Sequence, residues 1–253
     1  MHSTSLQTDL RHALNPVDFA LDVSGFSQVD PWQQDLLQSD ADRIIVNNSR
    51  QSGKSSITGL LALHTAVYVP DSLILLLSPS LRQSSELLQT VKRFYGAIAK
   101  DAPARQESAL RLELRNGSRI ISLPGKEATV RGYAGVNLLL IDEASRVPGD
   151  LFAAITPMLA VSNGRMILLS TPWGRRGTFF DVWDKGEDWQ RIQVTAEQCP
   201  RISPEFLKRE RKTMMNWQFQ QEYFCSFEES SAAVFDWTAI EEASQGKVDQ
   251  WKL

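Results

Sequence analysis

The chain has 253 residues, 27 Lys and Arg against 30 Asp and Glu, a formal net charge of −3 and 42% hydrophobic residues. That balance excludes wholesale disorder and suits one large α/β domain, or two small ones, with a sizeable core. No apolar run reaches the roughly 18 residues of a membrane span. The N-terminus lacks the basic-then-apolar layout of a secretory signal. Cys199 and Cys225 offer neither a disulfide framework nor metal-ligand spacing, so two reduced thiols in a cytoplasmic protein are expected.

In chain order, residues 5–30 read as one or two short helices, with turns at Asn15-Pro16 and Ser24-Gly25. Asp30-Pro31 then opens a helix over 32–38, because proline suits the first helical position after an aspartate cap. Short apolar runs follow at 43–47, 73–77, 138–141, 166–169 and, more weakly, 191–194. Four of these are nearly continuous rather than alternating, the pattern of strands buried on both faces in a mostly parallel sheet covered by helices. The spacing between them predicts helices over 55–68, 83–99 and 150–160. Segment 110–123 alternates instead and carries Asn116-Gly117, a strong hairpin signal. A β-hairpin inserted into an otherwise βαβ chain is therefore expected. Ser203-Pro204-Glu205 starts one long helix running to about Phe224. From Glu228 onward the chain turns Ser-rich and acidic, like a tail or linker.

Charge is unevenly spread. Residues 1–42 sum to −6, residues 82–131 to +5, and residues 227–253 to −4. Most charge runs are solvated faces. A basic middle between acidic ends also offers an anion-binding surface.

The first apolar run leads straight into Asn48-Ser49-Arg50-Gln51-Ser52-Gly53-Lys54-Ser55-Ser56 and a helix. Strand, loop, Gly-Lys-Ser and helix is the order a polyphosphate site needs, because loop and helix N–H groups then converge on one point. Lys54 would reach the β/γ-phosphates and the Ser55 hydroxyl would sit on Mg²⁺. Asn48 stands where the motif's first glycine is usual, and asparagine tolerates left-handed backbone. The next motif is Leu138-Leu139-Leu140-Ile141-Asp142-Glu143, 88 residues from Lys54 to Asp142. Two adjacent carboxylates at the end of a buried strand are costly without a cation or substrate. Asp142 would hold Mg²⁺, and Glu143 would orient or deprotonate the attacking water. A further 29 residues on, the fourth run ends at Ser170-Thr171-Pro172. Its hydroxyls would emerge at the same sheet edge, where open α/β sheets bind ligands. A plain strand exit into proline fits the spacing equally well.

Together, Pro31-Trp32-Gln33, the loop 49–55, Arg131-Gly132, the acidic motif and Ser170-Thr171-Pro172 occur in an order that resembles the ATPase domain of phage terminase large subunits. The run Trp217, Glu222-Tyr223 and Phe227 resembles that domain's end, so the resemblance covers nearly the whole chain. It implies a RecA-like P-loop NTPase of the ASCE type: a mostly parallel sheet with helices on both faces, an inserted β-hairpin and a small C-terminal helical subdomain. The implied division is an N-terminal helical segment at 1–30, an ATPase core at 31–196, a helical lid at 197–227, and a linker at 228–253 toward a nuclease domain absent from this chain. By the same resemblance, Gln33 would read the adenine with Trp32 alongside. Ser49, Arg50, Gln51, Ser52, Gly53, Lys54, Ser55 and Ser56 would hold ATP. Arg50 would also contact the γ-phosphate in cis, and Ser170-Thr171 would be the coupling motif. Arg131, eleven residues before Asp142, would be an arginine finger reaching a neighbouring subunit; a surface arginine before a glycine turn fits its position as well.

The implied function is viral DNA packaging, with ATP hydrolysis coupled to translocation of double-stranded DNA into a procapsid. The implied partners are a homo-oligomeric ring, the portal protein and the small terminase subunit, in the cytoplasm of an infected bacterium. The basic segment supplies DNA-facing candidates: Lys92, Arg93, Lys100, Arg105, Arg111, Arg115, Arg119 and Lys126, with Arg175 and Arg176 weaker ones. Two other readings compete. A two-domain helicase shares the glutamine, the loop and the acidic pair, but needs a second RecA-like series that the remaining chain lacks room for. A nucleotide-switched binding module needs no strong base beside Asp142. No clustered carboxylates with strands to mount them follow residue 228, so no DNA cleavage is expected of this chain.

Overall fold

The computed structural model describes residues 6–125, 130 and 132–228. Arg131, Lys126 and the expected linker beyond Glu228 fall outside those residues. The chain begins with three short helices, α1 (Leu6–Leu14), α2 (Pro16–Ser24) and α3 (Pro31–Gln38). Each break has a local cause. The Asn15 side chain accepts from the amides of Val17 and Asp18, and Pro16 and Pro31 fill first-turn positions where a missing N–H costs nothing.

Next come β1 (Arg43–Asn48), α4 (Lys54–Tyr68), β2 (Leu73–Ser78), α5 (Leu81–Ile98), β3 (Ala104–Ser108), β4 (Arg111–Leu114) and β5 (Arg119–Pro124). The described chain continues through β6 (Leu138–Asp142), α6 (Gly149–Ile155), β7 (Arg165–Ser170), α7 (Thr178–Lys185), β8 (Gln190–Val194), α8 (Pro204–Thr213) and α9 (Asn216–Phe224). The strands form one sheet in the order β3-β4-β5-β2-β6-β7-β1-β8. Every pairing from β5 to β8 is parallel, while β3, β4 and β5 pair antiparallel.

The continuous apolar strands divide their side chains between two cores, as their period of two requires. Ile44, Val46, Ile74, Leu76, Leu138, Leu140, Ile167 and Leu169 pack with α2–α5 on one face. Ile45, Leu75, Leu77, Leu139, Ile141, Met166 and Leu168 pack with residues of α6 and α7 on the other. At roughly 25 cal/mol per Å² of apolar area, burial on both faces is the largest favourable contribution to this sheet.

Three expectations change. The hairpin is not an appendage: β5 pairs in parallel with β2, so β4 and β3 extend the central sheet to its edge. The edge strand β3 was not visible in the sequence because Arg105, Gln106, Glu107 and Ser108 are all exposed and carry no apolar alternation. The single helix expected to reach Phe224 is two helices. Met214 is extended (φ −93°, ψ 152°), and the break folds α9 back on α8. Phe219 and Tyr223 then pack with Phe206 and Leu207 in a small separate cluster.

Gly164, just before β7, shows how tightly the sheet's other end is set. A Cβ there would lie 1.9 Å from the Val136 carbonyl oxygen and 2.9 Å from Leu159 Cδ2. Gly164→Ala is therefore expected to lower stability by about 2–3 kcal/mol and the melting temperature by about 5–10 °C. A thermal melt matching the wild type would mean that this approach is not held in solution. No helix among the described residues is long and apolar enough to cross a membrane.

Candidate nucleotide site at the carboxyl edge of the sheet

The parallel register brings the motifs to one edge. β1 lies between β7 and β8, with Asn47 opposite Ser170 and Asn48 opposite Val194. β6 lies beyond β7, with Asp142 opposite Leu169. The phosphate loop, the acidic pair and the serine of β7 thus leave adjacent strands at the same level, although 88 residues separate Lys54 from Asp142.

The loop's shape differs from expectation. Asn48 does not take the left-handed conformation; it is the last extended residue of β1. Its side-chain amide donates to Ser52 Oγ at 2.8 Å and to the Ser49 carbonyl at 3.2 Å, tying the loop from within. The left-handed residues are Gln51 (φ 58°) and Gly53 (φ 91°). Gly53 has that conformation directly before α4, so it turns the chain to aim the helix's first N–H groups, of Lys54, Ser55 and Ser56, across the loop.

Lys54 Nζ donates to Glu143 Oε1 and lies 3.6 Å from Asp142 Oδ1. The three side chains are mostly buried, at 16%, 22% and 13% exposed for Lys54, Glu143 and Asp142. Burial alone would pull the ammonium down, but Asp142 and Glu143 outweigh it and hold Lys54 above its ordinary value. Burial likewise pushes the Asp142 carboxyl up, with Lys54 opposing. One ammonium between two carboxylates leaves an excess negative charge in a mostly buried place. Glu143 also sits at φ 53°, an unusual conformation for this residue type. Its N–H donates to Asp142 Oδ1 at 3.0 Å. The kink turns Glu143 out of the strand line and onto Lys54. Backbone strain of this kind concentrates at functional sites.

Ser170 joins the same constellation. Its hydroxyl donates to Ser145 Oγ at 2.8 Å and accepts from the Ser145 amide at 3.2 Å, two residues past Glu143. Trp173, just after Pro172, stacks on Arg146 with the guanidinium carbon 3.6 Å from the ring centre. Thr171 is buried alongside.

Other candidates lie elsewhere. Arg50 pairs through Nε with Glu222 on α9 at 2.5 Å, and its amide donates to the Glu222 carbonyl, so its side chain is held at the C-terminal helices and away from Lys54. Trp32 belongs to the hydrophobic core, with its Nε1 buried and without a hydrogen-bond partner. Ser49 is fully buried and faces Cys199. Gln33 is brought to the loop: a Cβ on Gly53 would lie 3.0 Å from Gln33 Nε2. Both cysteines are free and buried.

The basic candidates map onto α5 and the sheet edge, but acidic neighbours take up much of their charge. Lys92 lies 3.5 Å from Glu107 and donates to the Ser108 carbonyl at 2.7 Å. Arg105 and Arg111 both pair with Glu113. Arg93 lies over Phe94. Arg115 and Arg119 donate backbone amides to Pro103 and Ser72. Arg175 donates to the Phe227 carbonyl.

One neighbour of the loop was not found in the sequence. Arg201 donates to both carboxylate oxygens of Asp30 and to the Ser52 carbonyl. A single arginine between Pro200 and Ile202 carries no motif, and its partner lies 171 residues away.

The donor set fits a magnesium nucleotide better than a metal held by protein alone. No cluster of three or more metal-binding side chains occurs among the described residues. Asp142, with the hydroxyl of Ser55 at the helix start, supplies the one or two hard oxygen ligands that Mg²⁺ takes when phosphates and water complete its shell.

A family model described as terminase large subunit, T4likevirus-type, N-terminal, matches residues 45–242. The chain is 26% identical over 207 residues to the probable terminase large subunit of Enterobacteria phage P7, covering 72% of this chain and 42% of that protein. It is 24% identical over 258 aligned positions to the terminase large subunit of Thermus virus P23-45, covering 88% and 53%. The chain therefore spans about half the length of the curated relatives it matches. Its fold matches the large terminase ATPase domain of Thermus phage P74-26 with a TM-score of 0.75 at 21% identity, over 85% of this chain and all of that one. The large terminase of another thermophilic bacteriophage, solved in complex with ADP, matches with a TM-score of 0.64 at 14% identity, over 79% and 54%.

Proposed function

Since the chain belongs to the terminase large subunit family, in its N-terminal region, we propose that it is an ATP-hydrolysing motor region that drives double-stranded DNA into a procapsid. The observation that carries this reading is the Lys54 ammonium between Asp142 and Glu143, at the edge where the phosphate loop begins its helix. Loop and helix amides bind the phosphates, and Lys54 exchanges a carboxylate for a phosphate oxygen when nucleotide enters. Glu143, released from Lys54, orients the attacking water and takes its proton. Bound Mg²⁺, held by Asp142 and Ser55, neutralises charge on the transferring phosphoryl group.

Ser170 is fixed to Ser145, two residues from Glu143, and Trp173 to Arg146. A displacement of Glu143 therefore reaches the chain after β7 through two direct contacts, which supports a coupling role for Ser170 and Thr171. Arg131 is assigned the arginine finger, contributed to a neighbouring copy in a ring. DNA, the portal protein and the small terminase subunit are the proposed partners, and the host cytoplasm the proposed location. Basic residues of α5 and of β3–β5 are the proposed DNA surface.

DNA is expected to stimulate ATP hydrolysis, with the stimulation falling steeply as salt rises, because phosphate contacts release counterions. A turnover rate indifferent to DNA at low salt would remove the motor reading. Charge reversal at Arg115 or Arg119 is the cleaner surface probe, since reversing Arg111 strands the mostly buried Glu113 carboxylate.

A further inference from the structure

The Asp30 carboxylate is 1% exposed, and Arg201 is its charged partner. Arg201 Nη1 meets Oδ1 at 3.0 Å and Nη2 meets Oδ2 at 2.5 Å, a two-pronged contact that fixes direction as well as charge. The same Nη2 donates to the Ser52 carbonyl of the phosphate loop at 2.8 Å. One guanidinium thus ties the start of α3, the phosphate loop and the segment leading to α8.

The consequence falls on Gln33. Its Oε1 accepts the Asp30 N–H at 3.0 Å, closing a capping box at the start of α3. That bond requires the oxygen there, so the amide nitrogen is the end turned to Gly53. A Cβ on Gly53 would meet Gln33 Nε2 at 3.0 Å and Arg201 Nη2 at 3.3 Å. The two groups stand together over the residue before Lys54.

We propose that Arg201 is a positioning residue for the nucleobase end of the site, holding the Gln33 amide nitrogen over the loop so that purine nucleoside triphosphates are selected over pyrimidine ones. The inference rests on the nucleotide-binding reading above. Gln33 presents a donor, and N7 is an acceptor that adenine and guanine share and pyrimidines lack. The selection is therefore for purines as a class, with ATP and GTP accepted alike, and not for adenine alone. Arg201 touches no reacting atom; it acts through Asp30, Gln33 and Ser52.

The test is competition binding of ATP, GTP and CTP, with steady-state hydrolysis, on the wild type, Arg201→Ala, Arg201→Lys and Asp30→Asn. Wild type is expected to bind ATP and GTP within about threefold, and CTP about tenfold more weakly, the worth of one net hydrogen bond. Arg201→Ala is expected to raise the KM for ATP by about tenfold and bring the purine-to-pyrimidine ratio close to one, with its effect on kcat confined to about twofold. Arg201→Lys keeps the charge but not the fork, and is expected to recover only part of the ratio. Should Arg201→Ala fail to fold, Asp30→Asn keeps the helix cap, breaks the charged pair and is expected to lose the same discrimination. An unchanged ratio in a folded Arg201→Ala or Asp30→Asn protein, or a loss confined to kcat, overturns the proposal. A wild type that prefers ATP strongly over GTP overturns it as well. A wild type that binds none of the three refutes the nucleotide reading itself, a result distinct from an intact preference in the variants.

Discussion

Glu143→Gln is expected to leave nucleotide bound and stop its turnover. Glutamine keeps the size of the side chain and an oxygen able to accept from Lys54, so the cradle around the phosphates survives. It cannot take a proton from water or hold the charge that orients one. Loss of a positioned general base costs about 10²- to 10⁴-fold in rate. Nucleotide affinity is expected to stay within a few-fold, because the substitution removes an interaction made chiefly in the transition state. Single-turnover hydrolysis alongside equilibrium binding separates the two. A variant that turns over like wild type would take Glu143 out of the chemistry and leave its kinked backbone without a catalytic explanation.

Lys54→Ala has the second large effect, on binding and on pH dependence together. Losing one charged hydrogen bond to phosphate, worth about 1.5–3 kcal/mol, is expected to weaken nucleotide binding on the order of 10- to 100-fold. It also leaves Asp142 and Glu143 facing each other without a cation. Asp142 already has its pKa raised by burial, against the pull of Lys54. Without that pull its folded-state pKa rises further above the unfolded value. A carboxyl raised in the folded state favours folding while protonated and opposes it once ionised. The variant is therefore expected to be less stable than wild type at neutral pH, with a deficit that shrinks on acidification through that raised pKa. Thermal melts of both proteins at neutral and mildly acidic pH read this directly, and a deficit independent of pH would mean that the carboxylates are compensated by another group. Mixed with Arg131→Ala copies at concentrations where the copies associate, Lys54→Ala is expected to recover hydrolysis. The intact lysine and the intact arginine then meet across one interface. No recovery in associated mixtures would place Arg131 in its own chain's site or in a structural role.

Much of the site was legible because its chemistry is local. Gly53-Lys54-Ser55 after an apolar run, and Asp142-Glu143 at the end of another, need only a strand and a turn to make sense. The parallel sheet followed from apolar runs too continuous for a one-sided sheet, and the two cores divide those runs residue by residue. Where local rules misled, a distant partner had intervened. Asn48 stays extended and sends its amide to Ser52, while Gln51 takes the left-handed turn. Arg50 belongs to Glu222, 172 residues away. The helix after Ser203 breaks at Met214, with no glycine or proline to announce it, because folding back buries Phe219 and Tyr223.

By itself the sequence determined the phosphate loop, the acidic pair, the buried parallel strands and the family they resemble. Each of these depends on neighbours within a few residues, and a fixed backbone period carries that information along the chain. Only the tertiary structure decided that the hairpin extends the sheet, that Lys54 bridges both carboxylates, that Ser170 grips Ser145, and that Arg201 joins Asp30 to the loop. Those contacts join segments far apart in the chain. A hydrogen bond or ion pair needs partners within about 3–4 Å, and that proximity is set by the packing of the whole sheet, not by any residue's own neighbours.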